Sequence, residues 1–135
     1  MPYLFFLFVL SMASPAVAQD NKYWAVTQFD FAGVEASDVS TFQSLLVSEL
    51  RAQSEQGVVQ SDTSCTEATC AQAAGKALSA KVAIFGRLSR LGQKIIVDLT
   101  AIRVSDGGLR GSHRLTIDQV EDLEAASKRF AKSFV

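Results

Sequence analysis

The sequence contains a single histidine, His113, and lacks the short motifs of several common enzyme chemistries. Acyl transfer by a serine needs a nucleophile, a base and an orienting acid, and no serine lies in a Gly-x-Ser-x-Gly string. Neither a P-loop nor a Gly-x-Gly-x-x-Gly string is present, which argues against nucleotide binding. We therefore expect a protein that is not an enzyme and that uses no cofactor.

The sequence also has few residues that could ligate a metal ion and no aromatic residues placed to bind nucleic-acid bases. Cys65, Cys70 and the distant His113 fall short of the four ligands that a structural zinc site needs. The spacing of the cysteines is C-x4-C, whereas redox-active pairs are usually C-x-x-C. No aromatic residues are interleaved with the basic residues to stack on bases. The sequence thus predicts neither a metal site nor nucleic-acid binding.

The first eighteen residues have the pattern of a secretory signal peptide. An apolar run ends at Leu10, and Ala16-Val17-Ala18 forms an A-x-A cleavage site before Gln19. The run is shorter than the roughly 20 residues that cross a bilayer, and no cysteine follows the cleavage site to carry a lipid. No Lys or Arg precedes the run, so the signal is atypical or the true start lies upstream. We expect a periplasmic protein with a signal at 1–18 and one domain at 19–135; the alternative is a buried N-terminal segment.

Cys65 and Cys70 are expected to form a disulfide, because exported proteins keep such bonds. Five residues of continuous helix would separate their Cα atoms by roughly 8 Å, which is beyond disulfide reach. The bond therefore requires a helix that begins between them, with Thr66 as the N-cap and Glu67 in the first turn. The cysteines would then occupy the two positions of a hydrophobic staple. In the alternative, Ser64 and Glu67 form a capping box and Cys65 lies inside the helix.

The remaining residues alternate between strand and helix patterns in the order β-α-β-α-β-β-β-α. Asp38 is expected to cap the first helix, and Asp118 with Glu121 to form a capping box for the last. Small residues in the second helix indicate that it packs closely on a sheet. The predicted strands cover 24–29, 58–60, 81–86, 94–104 and 112–117.

This order predicts an α/β (α+β) domain with a single mixed five-stranded sheet and helices packed on it. Strand–helix–strand units imply parallel pairing of the first three strands, and the short turns imply antiparallel pairing of the last three. The predicted strand order is 2-1-3-4-5. We find no internal repeat, low-complexity tract or linker.

Charge is sorted along the chain. Residues 20–70 contain eight acids and two bases, whereas residues 71–114 contain eight bases and two acids. Charged residues on an edge strand can simply protect it from aggregation. Alternatively, the bases of the antiparallel strands form a partner-binding site for an acidic protein face or an anionic wall polymer. The residues of that candidate site are Arg87, Arg90, Lys94, Arg103, Arg110 and Arg114.

Several local strings resemble a family of bacterial envelope domains. They are the strand opening at 25–31 with Gly33, the Cys65…Cys70 pair entering a helix, the 77–86 segment ending in Val-Ala-Ile-Phe-Gly, Leu-Ser-Arg-Leu-Gly at 88–92, and the Asp-Gly-Gly turn at 106–108. Together they resemble the amino-terminal-domain-like fold of the Tol-Pal translocation protein TolB. The same fold recurs in the curli secretion lipoprotein and in lipoprotein activators of penicillin-binding proteins. The resemblance covers nearly all of residues 19–135.

The resemblance implies a soluble, periplasmic, non-enzymatic module that binds another envelope component. The sequence has no lipobox cysteine, no propeller and no pore-forming insertion, so neither secretion-channel nor translocation activity carries over. Two alternatives remain. The chain could be a structural or amino-terminal part of a longer envelope protein, or a small-ligand binder that uses the carboxyl edge of the sheet.

Overall fold

The computed structural model describes residues 23–54 and 57–135. The predicted order of helices and strands is confirmed, with one additional short strand and a 3-10 turn. The elements are β1 (Tyr23–Gln28), β2 (Asp30–Ala32), α1 (Ala36–Gln53), β3 (Val58–Ser64), α2 (Ala68–Ala77), β4 (Ala80–Leu91), β5 (Lys94–Arg103), β6 (Leu109–Ile117), the 3-10 turn Val120–Asp122 and α3 (Leu123–Phe134).

The strands form one mixed sheet in the order β3-β1-β4-β5-β6, which is the predicted order once β2 is set aside. β1 pairs in parallel with β3 and β4, whereas β5 pairs antiparallel with β4 and β6. The unpredicted β2 pairs in parallel with the second half of β4. It forms because the twelve-residue β4 extends beyond the end of β1 and leaves backbone groups available for pairing.

The larger core lies between the sheet and the pair α1 and α3. Alternate strand residues point to this side, and helical spacing brings the apolar residues of both helices onto it. The rings of Phe29, Phe42, Phe130 and Phe134 form a continuous series with centroid separations of 5.9, 6.1 and 6.2 Å. The fully buried aliphatic members include Val26, Leu46, Leu50, Ile84, Leu88, Val97 and Leu99.

A smaller core on the opposite side of the sheet lies under α2. Its buried members on α2 are Ala71 and Ala74, which confirms that small side chains bring this helix close to the strands. Gly75 shows how close the approach is, because a Cβ there would collide with Val104 and meet the Cβ of Ala83 at 3.3 Å. Since α2 has only ten residues, it covers only part of this side of the sheet.

The helix starts differ from the predicted ones by one to three residues. α1 begins at Ala36 and its cap is Glu35, whose carbonyl accepts the N–H groups of Asp38 and Val39 at 3.0 and 3.2 Å. The prediction that Asp38 caps this helix is therefore wrong. Asp38 instead lies in the first turn, where the helix dipole favours a carboxylate.

The capping box before α3 is also displaced by one residue. It is formed by Gln119 and Asp122, at the 3-10 turn that precedes the helix, and not by Asp118 and Glu121. Asp118 lies one residue before this cap, and its carboxylate is 4.0 Å from the ammonium of Lys94 on β5. This pairing joins the end of β6 to the turn between β4 and β5.

The disulfide between Cys65 and Cys70 is present, with Cα atoms 5.5 Å apart. α2 begins between the two residues, as the geometric argument requires, but its N-cap is Glu67 and not Thr66. Thr66 instead lines a cavity beside Phe85. Cys65 therefore lies two residues before the N-cap, and Cys70 is the third helical residue. Each is one residue earlier in the chain than the corresponding position of a hydrophobic staple.

The predicted signal peptide lies outside the described residues. No helix within 23–54 and 57–135 is long and apolar enough to cross a membrane. The boundaries 1–18 and 19–135 stay predictions.

We predict that reduction of the disulfide lowers the free energy of unfolding by about 2 kcal/mol, because the bond closes only a short loop. Urea denaturation with and without reductant measures the difference. Thiol labelling of the native protein should find no reactive cysteine until reductant is added. A Cys65→Ala, Cys70→Ala variant is the control and should be indifferent to reductant; an equal response of both proteins would contradict the prediction.

Candidate partner-binding face

Beyond the end of α2, the strands β4, β5 and β6 present a surface on the side of the sheet opposite α1 and α3. Its residues are exposed or half-buried, because no other described helix lies there. We call this surface the open sheet face. It comprises Phe85, Arg87 and Ser89 of β4, Ile96, Asp98 and Thr100 of β5, and Ser112, Arg114 and Thr116 of β6.

A row of alternating charge crosses the open sheet face. Asp30 of β2 is in register with Arg87, Arg87 with Asp98, and Asp98 with Arg114. The Arg87 guanidinium lies 3.6 Å from the Asp30 carboxylate, and Arg114 Nε donates to Asp98 Oδ1 at 2.6 Å. The hydrogen bond from Arg114 to Asp98, reinforced by the charge of that carboxylate, raises the pKa of Arg114. We call these four residues the charge row.

The rows on either side of the charge row are uncharged. Ser89, Ile96 and Thr116 are in register on one side. On the other, Phe85 is in register with Thr100 and Thr100 with Ser112, and the two hydroxyl oxygens are 3.3 Å apart. The open sheet face therefore combines half-buried apolar side chains with hydroxyls and paired charges.

A shallow cavity of about 200 Å³ opens between the charge row and the start of α2, lined by Thr66, Phe85, Arg87, Asp98 and Thr100. Gly86 makes this approach of β4 to β5 feasible, since a Cβ there would collide with the Asp98 carbonyl oxygen and the Leu99 side chain. The disulfide holds Thr66 at the rim of the cavity, because Cys65 is fully buried beside it.

Two of the predicted site residues lie near the turn between β4 and β5. Arg90 is on the opposite side of the sheet from Arg87, and its Nε donates to the Gly33 carbonyl oxygen at 2.8 Å. Lys94 pairs with Asp118. Neither side chain lies in the charge row.

Arg103 and Arg110 lie at the other end of the antiparallel strands. Arg103 Nε is 3.2 Å from Asp106 Oδ1, and the Gly108 N–H donates to the same oxygen at 2.8 Å. The bond from Gly108, and then that from Arg103, lowers the pKa of Asp106. A β-bulge makes Arg110 the extra residue of β6, and its guanidinium lies 4.8 Å from the centre of the Trp24 ring.

The six predicted cations therefore do not form one basic patch. Of the six, Arg87 and Arg114 lie in the charge row, and Lys94 and Arg103, at the two ends of β5, are separated by about 30 Å of extended chain. Sequence reasoning missed Asp30 and Asp98, which alternate with the two arginines. Strand register was the signal that could have found Asp98, since β4 and β5 form a tight hairpin. Binding of a partner by these cations stays a prediction.

Titratable groups elsewhere are not arranged as a metal site. No group of three or more His, Cys, Asp or Glu residues within the described ranges could hold a metal ion. His113 packs edge-on against Phe134, with ring centroids 5.0 Å apart.

Comparison with solved structures identifies proteins of the same fold. PelC from Paraburkholderia phytofirmans, a dodecamer, superposes with a TM-score of 0.59 and 18% identity over 83% of this chain and 84% of its own. The C-terminal domain of LpoB from Salmonella enterica superposes with a TM-score of 0.58 and 12% identity over 73% of this chain and 84% of its own. TolB from Acinetobacter baumannii superposes with a TM-score of 0.60 and 9% identity over 81% of this chain but only 26% of TolB. The resemblance to the TolB-like fold is thereby confirmed.

At the level of sequence there is no such likeness. No protein-family model matches the chain, and no curated protein matches it either. Identities this low establish a shared fold only.

We predict that Asp98→Asn lowers the midpoint of urea unfolding more than a substitution of an unpaired surface carboxylate does, because it leaves Arg87 and Arg114 opposite an uncharged residue. Urea denaturation at low salt measures the change, which should shrink at high salt as the charges are screened. Asp62→Asn is the matched control, since Asp62 is exposed on β3 and has no ion pair with any described residue. Equal effects of the two substitutions would show that the charge row does not stabilise the sheet.

Proposed function

We propose that this protein is an exported, non-enzymatic module of the bacterial envelope that binds another envelope protein through its open sheet face. The observation that carries the proposal is the charge row on a partly uncovered sheet. Four charged side chains of alternating sign lie in register there, each 38–71% exposed, between rows that contain Phe85 and Ile96.

The pairing of the arginines favours a protein partner over an anionic polymer. Arg87 and Arg114 each already contact a carboxylate, so a uniformly anionic wall polymer would meet Asp30 and Asp98 as well as the arginines. A protein surface can instead place opposite charges against each member of the row, which gives specificity and orientation. The half-buried Phe85 and Ile96 supply the apolar contact that the centre of such an interface needs.

Three features support an envelope location. Residues 1–18 have the signal-peptide pattern, and the Cys65–Cys70 disulfide is of the kind that persists in oxidising compartments. The fold is shared with LpoB and TolB, and the sequence resembles bacterial envelope domains of that fold. PelC, which has this fold too, is a dodecamer, so assembly with other chains is compatible with the fold.

The proposal of a non-enzymatic role is supported by the surroundings of the one histidine. His113 lies on β6 against the ring of Phe134, on the side of the sheet that faces α3. The charge row and the hydroxyls of Thr100 and Ser112 lie on the opposite side. Activation of either of these two hydroxyls by the imidazole would therefore need a different arrangement of β6.

We predict that the protein is found in the periplasmic fraction without detergent and that its mature chain begins at Gln19. The physical reason is that the apolar run up to Leu10 is too short to remain as a membrane span. Cell fractionation followed by intact-mass analysis checks both points. Retention of residues 1–18 in the purified protein, or recovery only with detergent, would contradict the proposed export.

We also predict that a double substitution on the open sheet face, Ile96→Thr with Arg114→Thr, weakens partner capture at least tenfold. Threonine suits a strand, so the fold should persist, and thermal unfolding verifies this. Capture from the envelope fraction of the source bacterium, with identification by mass spectrometry, measures the effect. Arg129→Thr with Lys132→Thr on the exposed side of α3 is the control.

The expected result is a protein captured by the wild type and the α3 control but lost from the open-face variant. Undiminished capture by a folded open-face variant would overturn the proposed interface. Recovery of an anionic polymer in place of a protein would overturn the proposed partner class.

A further inference from the structure

A second cavity, of about 310 Å³, lies at the carboxyl end of β1 beneath the first half of α1. It is remote from the open sheet face, because the residues that line it point to the α1 side of the sheet. Gln28 ends β1, and Gln60 of β3 is in register with Val26, whose side chain is buried in the core under α1. The volume is at the lower end of the range of small-molecule sites.

Among the described residues that line this cavity, Gln43 of α1 is the one buried polar side chain. It is only 8% exposed, and its Oε1 accepts the backbone N–H of Phe29 at 3.4 Å. This bond directs the amide oxygen of Gln43 to the backbone of Phe29. The amide nitrogen, with its two N–H donors, therefore points away from that backbone. The nitrogen has no partner among residues 23–54 and 57–135, and no described side-chain nitrogen or oxygen is both buried and unpaired. Its donors therefore reach solvent through the cavity that Gln43 lines.

The rest of the polar lining is uncharged. Gln28 and Gln60 add two exposed amides, and Ser40 and Ser44, one helical turn apart on α1, add two hydroxyls. None of the described residues that line the cavity is ionisable, although a fifth of the chain is charged. An anion or a cation would find no counter-charge here, whereas hydroxyl groups would find both donors and acceptors.

An aromatic ring lies at the mouth of the cavity. Phe31 of β2 lines it and is 43% exposed, so a ligand can reach the ring from solvent. The face of such a ring is electron-rich and attracts groups with partial positive charge. The C–H groups on one face of a pyranose ring are of this kind, while its edge carries the hydroxyls that amides bind.

We propose that this cavity is a binding site for a neutral saccharide unit, with Gln43 as the oriented donor and Phe31 as the stacking surface. The inference is independent of the proposed partner face, since none of the residues of the charge row lines the cavity. The amides of Gln28 and Gln60 and the hydroxyl groups of Ser40 and Ser44 would bind the remaining hydroxyls of the sugar.

The test is a titration of the oxidised mature protein, labelled with ¹⁵N, with N-acetylglucosamine, glucose and glucuronate. We expect N-acetylglucosamine or glucose to shift the side-chain amide resonances of Gln28, Gln43 and Gln60, with an affinity that does not change with salt. Gln43→Glu keeps the oxygen for the Phe29 N–H but removes the donors, so it should weaken binding about threefold to tenfold. Phe31→Ala should weaken it to a similar extent, and thermal unfolding verifies that this variant is folded.

Gln93→Ala, an exposed amide in the turn between β4 and β5, is the matched control and should bind as the wild type does. The proposal is overturned if neither neutral sugar shifts these resonances at tens of millimolar. It is also overturned if glucuronate binds more tightly than both neutral sugars, or if Phe31→Ala binds undiminished. Because the readout is at Gln43, failure here leaves capture through the open sheet face unaffected.

Discussion

The pairing of β4 with β5 is the constraint on which the rest of the structure depends. It runs from Val82 opposite Arg103 to Leu91 opposite Lys94 without a shift of register. Because side chains alternate between the two faces of a strand, a slip of one residue would move Val97 and Leu99 out of the core and Asp98 into it. The same register places Asp98 between Arg87 and Arg114, so the core and the charge row are determined together.

The unequal covering of the two sides of the sheet explains where binding surfaces arise. α1 and α3 bury large aromatic and aliphatic side chains on one side, whereas the short α2 covers only the strands near β1 on the other. The antiparallel strands extend past α2, and their outer ends carry hydroxyls and paired charges in place of a second core. At the carboxyl end of β1 the chain continues into β2 and then α1, and the amide-lined cavity lies between these elements.

The order of elements could be predicted because the spacing of apolar residues in each segment shows which side of that helix or strand is buried. Phe42, Leu46 and Leu50 follow a helical period, and the segment at 82–84 is apolar throughout because both faces of that strand are covered. Helix starts were less predictable, since Asp38, Thr66 and Asp118 can all cap a helix but only the folded chain decides which backbone N–H groups they meet. β2 was not predictable from its three residues, because the strand it pairs with within the described ranges is the far half of β4.

The candidate sites divide in the same way. The disulfide and the fold could be predicted from the sequence, because within a helical segment this spacing allows the bond only where the helix begins between the cysteines, and because alternating patterns indicate which side of each element is buried. The sequence also determined that the antiparallel strands are basic. Only the tertiary structure decided that these cations are paired, since Asp30 precedes Arg87 by 57 residues and reaches it across β2 and β4. The orientation of Gln43 was likewise decided only by the fold, because its acceptor role depends on where the backbone of Phe29 comes to lie against α1.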